Sequence, residues 1–237
     1  MDLVPDAVKT PRSYSSPLRA EQAAATRQQV LDAAGWLFTT QGYAATTVGQ
    51  VAERAGVSVD TLYATVGRKP MLLRAVVESA ISGTDHPIPA AERDYVKRVR
   101  EAGDARTKLR IYADALAEIS PRTAPAFTAL RDAARTDPDC AALDIEISER
   151  RAANMLLMAA DLRATGELRD GLTDAFIADV IWATAGWEHY VPLVSGRGWT
   201  PAQFGDYLAE LWVRLFVGES ASRGSVAERT RRKITIR

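Results

Sequence analysis

Tyr63, Arg68 and Lys69 follow closely on a tight junction, Ala55-Gly56-Val57, between two short amphipathic stretches. A phenol and an ammonium both suit phosphate oxygens, so the chemistry on offer is the binding of a nucleic acid. Two helices of about two turns each, parted by roughly four residues that include a glycine, fit a helix-turn-helix. In that design the first helix braces and the second lies in the major groove, its N-terminal residues at base edges. Ala52 and Ala55 are small enough to let the two helices pack closely.

Bond-making chemistry finds no residues. His86 and His189 are distant in sequence, and neither stands at metal-ligand spacing from other donors. Phosphate loops, Gly-x-Ser-x-Gly and Gly-x-Gly-x-x-Gly are absent. Cys140, near an expected helix start, reads as a packing residue ahead of a reactive thiol. No catalytic residue, metal or cofactor is expected.

The chain has 237 residues, 47% hydrophobic and 25% charged, which is enough for a packed core in one large or two modest domains. Its best apolar run, Val180 to Trp187, is far short of the roughly 18 residues that span a bilayer. Residues 1–20 do not read as a signal peptide, and one cysteine fits a reducing compartment, so a cytoplasmic location and no membrane partner are expected. Thirty basic residues balance thirty acidic ones. Residues 21–83 are neutral as well, so any DNA affinity must come from where the charges sit. The last 20 residues carry six basic side chains against Glu219 and Glu228 and read as a basic flexible tail.

The elements that must position Tyr63 and Lys69 are helical, and the fold class expected is all-α with about nine helices. Residues 1–20, rich in Pro and Ser, read as a disordered extension. A first helix over 21–40 carries Val30, Ala33, Ala34, Leu37 and Phe38 on one stripe. Thr47 with Gln50 makes a capping box for the second helix, Gly56 turns the chain, and Ser58 caps the third. A fourth helix is expected over 69–82 and a loop over 83–103. Ser120-Pro121, Asp137-Pro138 and Thr200-Pro201 each read as an N-cap with Pro at the first helical position. They divide the rest into helices over 104–119, 121–136, 138–165, 173–194 and 201–217.

The stretch resembles the DNA-binding domain of the TetR/AcrR family of transcriptional regulators. Phe38, Gly42, Tyr43, Thr46-Thr47, Val51-Ala52, Ala55-Gly56-Val57-Ser58, Thr61-Leu62-Tyr63, Lys69 and Leu72-Leu73 carry the resemblance. It departs from the family pattern at Ala64-Thr65, where many relatives have an aromatic or His, and at Pro70, where an acidic residue is common. The resemblance implies a DNA-binding domain over 21–83 and an effector-binding and dimerisation domain over 84–217, followed by the tail at 218–237. It also implies that Thr47, Tyr63 and Lys69 bind phosphates, and that Val59, Asp60 and Ala64 face bases, with Ser58, Thr61 and Thr65 at the same surface. Asp60 reads equally as an acceptor for a cytosine amino group and as a helix N-terminal carboxylate. Arg68 reads equally as a phosphate contact and as a solvated loop arginine.

In the second domain the resemblance implies a small-molecule effector between helices. Phe127, Met155, Met158, Trp182, Trp187 and His189 are the lining candidates, and such side chains suit an apolar or aromatic ligand. Arg122, Glu188 and His189 are candidates for polar contacts. The last two helices are apolar over too wide an arc for one buried stripe. An extra apolar face suggests a partner, and the resemblance implies that it makes a two-fold homodimer, with Phe176, Val180, Tyr207, Leu211 and Leu215 at the interface, which would present two reading helices to a pseudo-palindromic operator. The expected whole is a ligand-responsive, dimeric transcriptional repressor that is not an enzyme. The rivals are a helix-turn-helix used for protein contacts and an enzyme on a helical scaffold.

Overall fold

The computed structural model describes residues 17–84 and 86–218. The expected extension up to residue 16 and the basic tail from residue 219 lie outside the described residues. Helix α1 (Pro17–Thr40) begins four residues earlier than expected, so 17–20 are helical. Helices α2 (Val48–Ala55), α3 (Val59–Thr65) and α4 (Lys69–Ser82) follow where the caps place them. The Thr47–Gln50 capping box is formed in both directions, with Gln50 N–H donating to the Thr47 hydroxyl at 3.2 Å and Thr47 N–H donating to Gln50 Oε1 at 2.8 Å. Gly56 closes α2 at φ +69°. Its N–H donates to Glu53 O at 3.1 Å and that of Val57 to Ala52 O at 3.0 Å, the reciprocal pair of bonds of a left-handed glycine cap. Ser58 accepts from Thr61 N–H at 3.0 Å and so starts α3.

The stripe on α1 is buried as read, and Val51, Ala52, Leu62, Leu72, Leu73 and Val77 close on it. This core does not stop at the end of α4. It continues into Leu130 and Ala133 of α6 (Ala105–Ala134) and into Cys140, Leu143 and Ile147 of α7 (Pro138–Arg163). The N-terminal head and the helices behind it are thus joined by shared apolar packing. Two ion pairs flank that joint, Arg74 on Glu146 at 2.7 Å and Arg150 on the largely buried Glu78 at 2.7 Å.

Three expectations are corrected in the second half. The loop over 83–103 contains a 3-10 turn (Ala90–Glu92) and helix α5 (Asp94–Glu101). Pro87 and Pro89 suggest a loop, but the amphipathic run after them folds because Val99 is buried against α6. The two helices expected over 104–136 are one, α6, running straight through Pro121 and Pro125. Each Pro removes one backbone bond at a cost of about 3 kcal/mol. Packing of α6 against α4, α5, α7 and α10 outweighs that, and Ser120 is buried inside the helix instead of capping a new one.

The third correction is the single helix expected over 173–194. It is α8 (Asp174–Thr184), a break at Ala185-Gly186, α9 (Trp187–Val191), and a wider π-type turn through Pro192–Gly196. The last helix, α10 (Pro201–Phe216), has its Thr200–Gln203 capping box. Among the described residues there are ten α-helices, and one isolated bridge, Leu168 to Val217, ties the residue after α10 back to the α7–α8 turn. A second core fills the space among α6, α7, α8 and α10, with Trp212, Phe204, Leu109 and Leu162 at its centre. Gly205 lets α10 approach α6 closely: a Cβ there would stand 2.9 Å from that of Ala117 and 3.1 Å from Ala113 O.

Candidate nucleic-acid interface and effector cavity

Helix α3 has one buried anchor, Leu62, fully enclosed against α1 and α2. That anchor turns Val59, Asp60, Tyr63 and Ala64 outward, with Val59 40% and Tyr63 47% exposed. Exposing a valine and a tyrosine beside the N-terminus of a helix leaves apolar contact surface, a hydroxyl and free backbone donors on one face. Ser58 and Thr61 share a 2.8 Å hydrogen bond between their hydroxyls and lie on the same exposed edge. Thr47 is exposed at the start of α2.

Two of the expected contact residues are partly withdrawn. Thr65 is half-buried, its hydroxyl donating to Thr61 O at 2.6 Å and its own carbonyl accepting from Arg27 at 3.0 Å. Lys69 is half-buried too, its ammonium 4.1 Å from the centre of the Tyr43 ring. Burial lowers the Lys69 pKa, and the nearby Asp137 and Cys140 oppose that. Tyr43 donates in turn to Asp137 Oδ2 at 2.7 Å, and Asp137 Oδ1 caps α7 by accepting from Asp139 and Cys140 N–H. Asp137 is held below the usual carboxylate range, first by the Tyr43 hydrogen bond. Lys69, Tyr43 and Asp137 thus link the entry of α4 to the start of α7. Sequence reading placed Lys69 at phosphate and missed this link, because its partners lie far along the chain.

A cavity of about 260 Å3 opens among α4, α5, α6 and α7. Of the sequence-based lining candidates, Phe127, Met155, Met158 and Trp187 lie on its wall. Trp182 and His189 do not. The Trp182 indole N–H is buried without an acceptor, and its ring lies 5.5 Å beneath the Arg151 guanidinium. His189 stacks on Tyr207 with ring centres 5.7 Å apart and shares a 3.2 Å hydrogen bond with its hydroxyl. The other polar candidates are engaged elsewhere. Arg122 donates to Ala80 O at 2.8 Å, and Glu188 pairs with Arg131 at 3.1 Å. The cavity takes its polar character from residues missed in the sequence, chiefly Arg93, Tyr95, Tyr112 and Arg151. Tyr112 stacks between Tyr95 and Trp212, at 6.1 and 5.7 Å.

The wide apolar arc of α10 divides into two faces. Phe204, Leu208, Trp212 and Phe216 are fully buried in the core. Tyr207, Leu211 and Leu215 remain part-exposed or exposed, as do Phe176 and Val180 on the adjacent α8. Of the residues expected at a dimer interface, Phe176 and Leu215 are exposed, while Val180, Tyr207 and Leu211 are partly buried and pack against the second core. Among the described residues no group of side chains could hold a metal ion, and no helix is long and apolar enough to cross a membrane.

Residues 30–76 match the family model described as bacterial regulatory proteins, tetR family. The HTH-type transcriptional regulator TtgR of Pseudomonas putida is 35% identical over 74 residues, which cover 31% of this chain and 35% of that protein. The matched stretch thus spans about a third of that relative's length. The fold extends the likeness to the body. A TetR-family transcriptional regulator from Mesorhizobium loti superposes with a TM-score of 0.63 at 19% identity, over 83% of this chain and 99% of that one. FadR of Bacillus subtilis, solved in complex with stearoyl-CoA, superposes with a TM-score of 0.63 at 18% identity, over 78% and 97%. Residues 30–76 thus match the tetR family's DNA-binding domain, and the helices behind them share the fold of solved regulators.

Proposed function

We propose that the protein is a ligand-responsive transcriptional repressor that binds a pseudo-palindromic operator as a homodimer. The observation that carries this reading is α3, a short capped helix with one buried anchor and an outward face of Val59, Asp60, Tyr63 and Ala64. Thr47, Tyr63 and Lys69 contact phosphates on either side of the groove, while Val59 and Ala64 touch thymine methyls. Ser58, Thr61 and Thr65 complete the surface, with Asp60 beside them.

The second copy seats on Phe176, Val180, Tyr207, Leu211 and Leu215, where two adjacent helices leave apolar side chains exposed or only partly buried. A two-fold axis through that face sets two copies of α3 on successive major grooves. The effector occupies the cavity. Ile81, at the far end of α4, lines it, and Lys69 begins the same helix, about 18 Å away along its axis. A guest that prefers one placement of α4 changes the spacing of the two heads, and it acts only so far as its affinity differs between the two states. Domain boundaries near residues 83 and 217 follow from this reading.

Selection of bound duplexes from a random DNA pool at near-physiological salt tests the proposal. Recovery of a two-fold symmetric motif is expected. Binding that is sequence-independent with and without cell extract would favour the alternative in which the helix-turn-helix contacts protein.

A further inference from the structure

The charge of the cavity points to a class of ligand, an argument that rests on reading the cavity as the effector site. Three arginines line it, Arg93, Arg100 and Arg151, against one acid, Asp161. Asp161 already has a counter-charge. The buried Lys108 ammonium lies 2.8 Å from it and also donates to Val99 O at 2.8 Å and Arg100 O at 3.2 Å, closing the end of α5. Arg93 and Arg151 have no carboxylate partner among the described residues. Both lean on backbone oxygens instead. Arg93 donates to Ile88 O at 3.2 and 3.1 Å, and Arg151 to Trp182 O at 3.2 Å. A guanidinium has five N–H donors, so each keeps some in reserve.

Tyr112 lines the same cavity as these arginines. Its hydroxyl donates to the Met155 sulfur at 3.7 Å, a weak acceptor. Burial raises the pKa of the phenol, Tyr95 raises it further, and Arg151 and Arg93, which line the same cavity, pull it back down. Two cations and an under-used hydroxyl thus share a cavity whose one carboxylate, Asp161, is held by Lys108. The rest of the wall is apolar, with Leu116, Phe127, Met155 and Met158 among its side chains. A charge facing a low-dielectric space without a partner is costly, and a guest that carries the missing anion removes that cost.

We propose that the cavity takes an amphipathic organic acid whose carboxylate is held by Arg93, Arg151 and the Tyr112 hydroxyl and whose apolar body lies on Leu116, Phe127, Met155 and Met158. The volume limits the body. A dry cavity of about 150 Å3 holds one benzene, so about 260 Å3 suits an acid of roughly ten carbons. A neutral guest of the same length leaves the arginines unanswered, and a cationic guest meets them with repulsion.

The test uses the full chain and a neutral fluorescent probe, N-phenyl-1-naphthylamine, displaced by decanoate, 1-decanol or decyltrimethylammonium below their micelle concentrations. Decanoate is expected to displace the probe at concentrations about tenfold lower than decanol, with the cation weakest. In Arg93→Gln and Arg151→Gln the decanoate advantage shrinks toward that of decanol, while decanol itself is unchanged. Tyr112→Phe, which alters only one oxygen, weakens decanoate about fivefold. Equal displacement by the acid and the alcohol, or preference for the cation, would overturn the organic-acid proposal and leave the cavity standing as an effector site. Failure of the probe and all three guests to bind would overturn both.

Discussion

The head and the body expose their candidate binding residues in opposite ways. The head turns them outward from one seven-residue helix held by a single buried leucine. The body turns them inward from four helices, so that Tyr112, Met155 and Ile81 meet across a cavity although α4, α6 and α7 are far apart in the chain. A surface that reads a groove is fixed by local caps and one turn. A cavity is fixed by how several helices cross. The two regions therefore differ in what damages them: the head is sensitive to its anchor and its turn, the body to the spacing between helices.

The largest expected effect tests the anchor. Leu62→Ala empties a fully buried position and should destabilise the protein by about 2–5 kcal/mol in chemical denaturation, with operator binding lost. The matching test in the body is Gly205→Ala. The added methyl meets Ala117 and the Ala113 carbonyl, and should cost about 1–3 kcal/mol by forcing α10 away from α6. Probe binding in the cavity should suffer from Gly205→Ala while the bases selected by α3 stay the same.

Gly56→Ala tests the turn. A Cβ there meets nothing within 4 Å, so the expected loss, about 1–2 kcal/mol, comes from the positive φ alone. Lys69→Ala should weaken binding across all DNA sequences and lower the salt dependence by about one phosphate contact, as read by titrations at several salt concentrations. The smallest effect concerns pH. Burial lowers the His189 pKa, so the unfolded chain binds more protons and stability falls as pH drops through about 6.5. Melting temperatures at pH 7.5 and 5.5 should differ more for the native chain than for His189→Gln.

The contrast also explains which parts were legible in the sequence. Thr47 with Gln50, Gly56 and Ser58 act within a few residues, and each cap stands where its residue type and spacing put it. Ser120-Pro121 carries an equally strong local signal for a helix boundary, yet α6 runs through it and on through Pro125. There the local preference is overruled by contacts with α1, α4, α5, α7, α9 and α10, which no short window contains. Helix α5 was hidden by Pro87 and Pro89 for the converse reason, since Val99 is buried only once α6 lies beside it. Trp182 and His189 have the right chemistry for a cavity wall, but the break at Gly186 and the turn at Pro192–Gly196 leave them off it.

By itself the sequence determined the all-helical class, the reading head and its buried stripe, because periodicity and capping act over one or two turns. Tertiary structure alone decided which arginines face the cavity, which face of α10 stays outside the core, and that Lys69 is tied through Tyr43 to Asp137. Those relations join residues tens of positions apart, and only the packing of whole helices sets the distances between them.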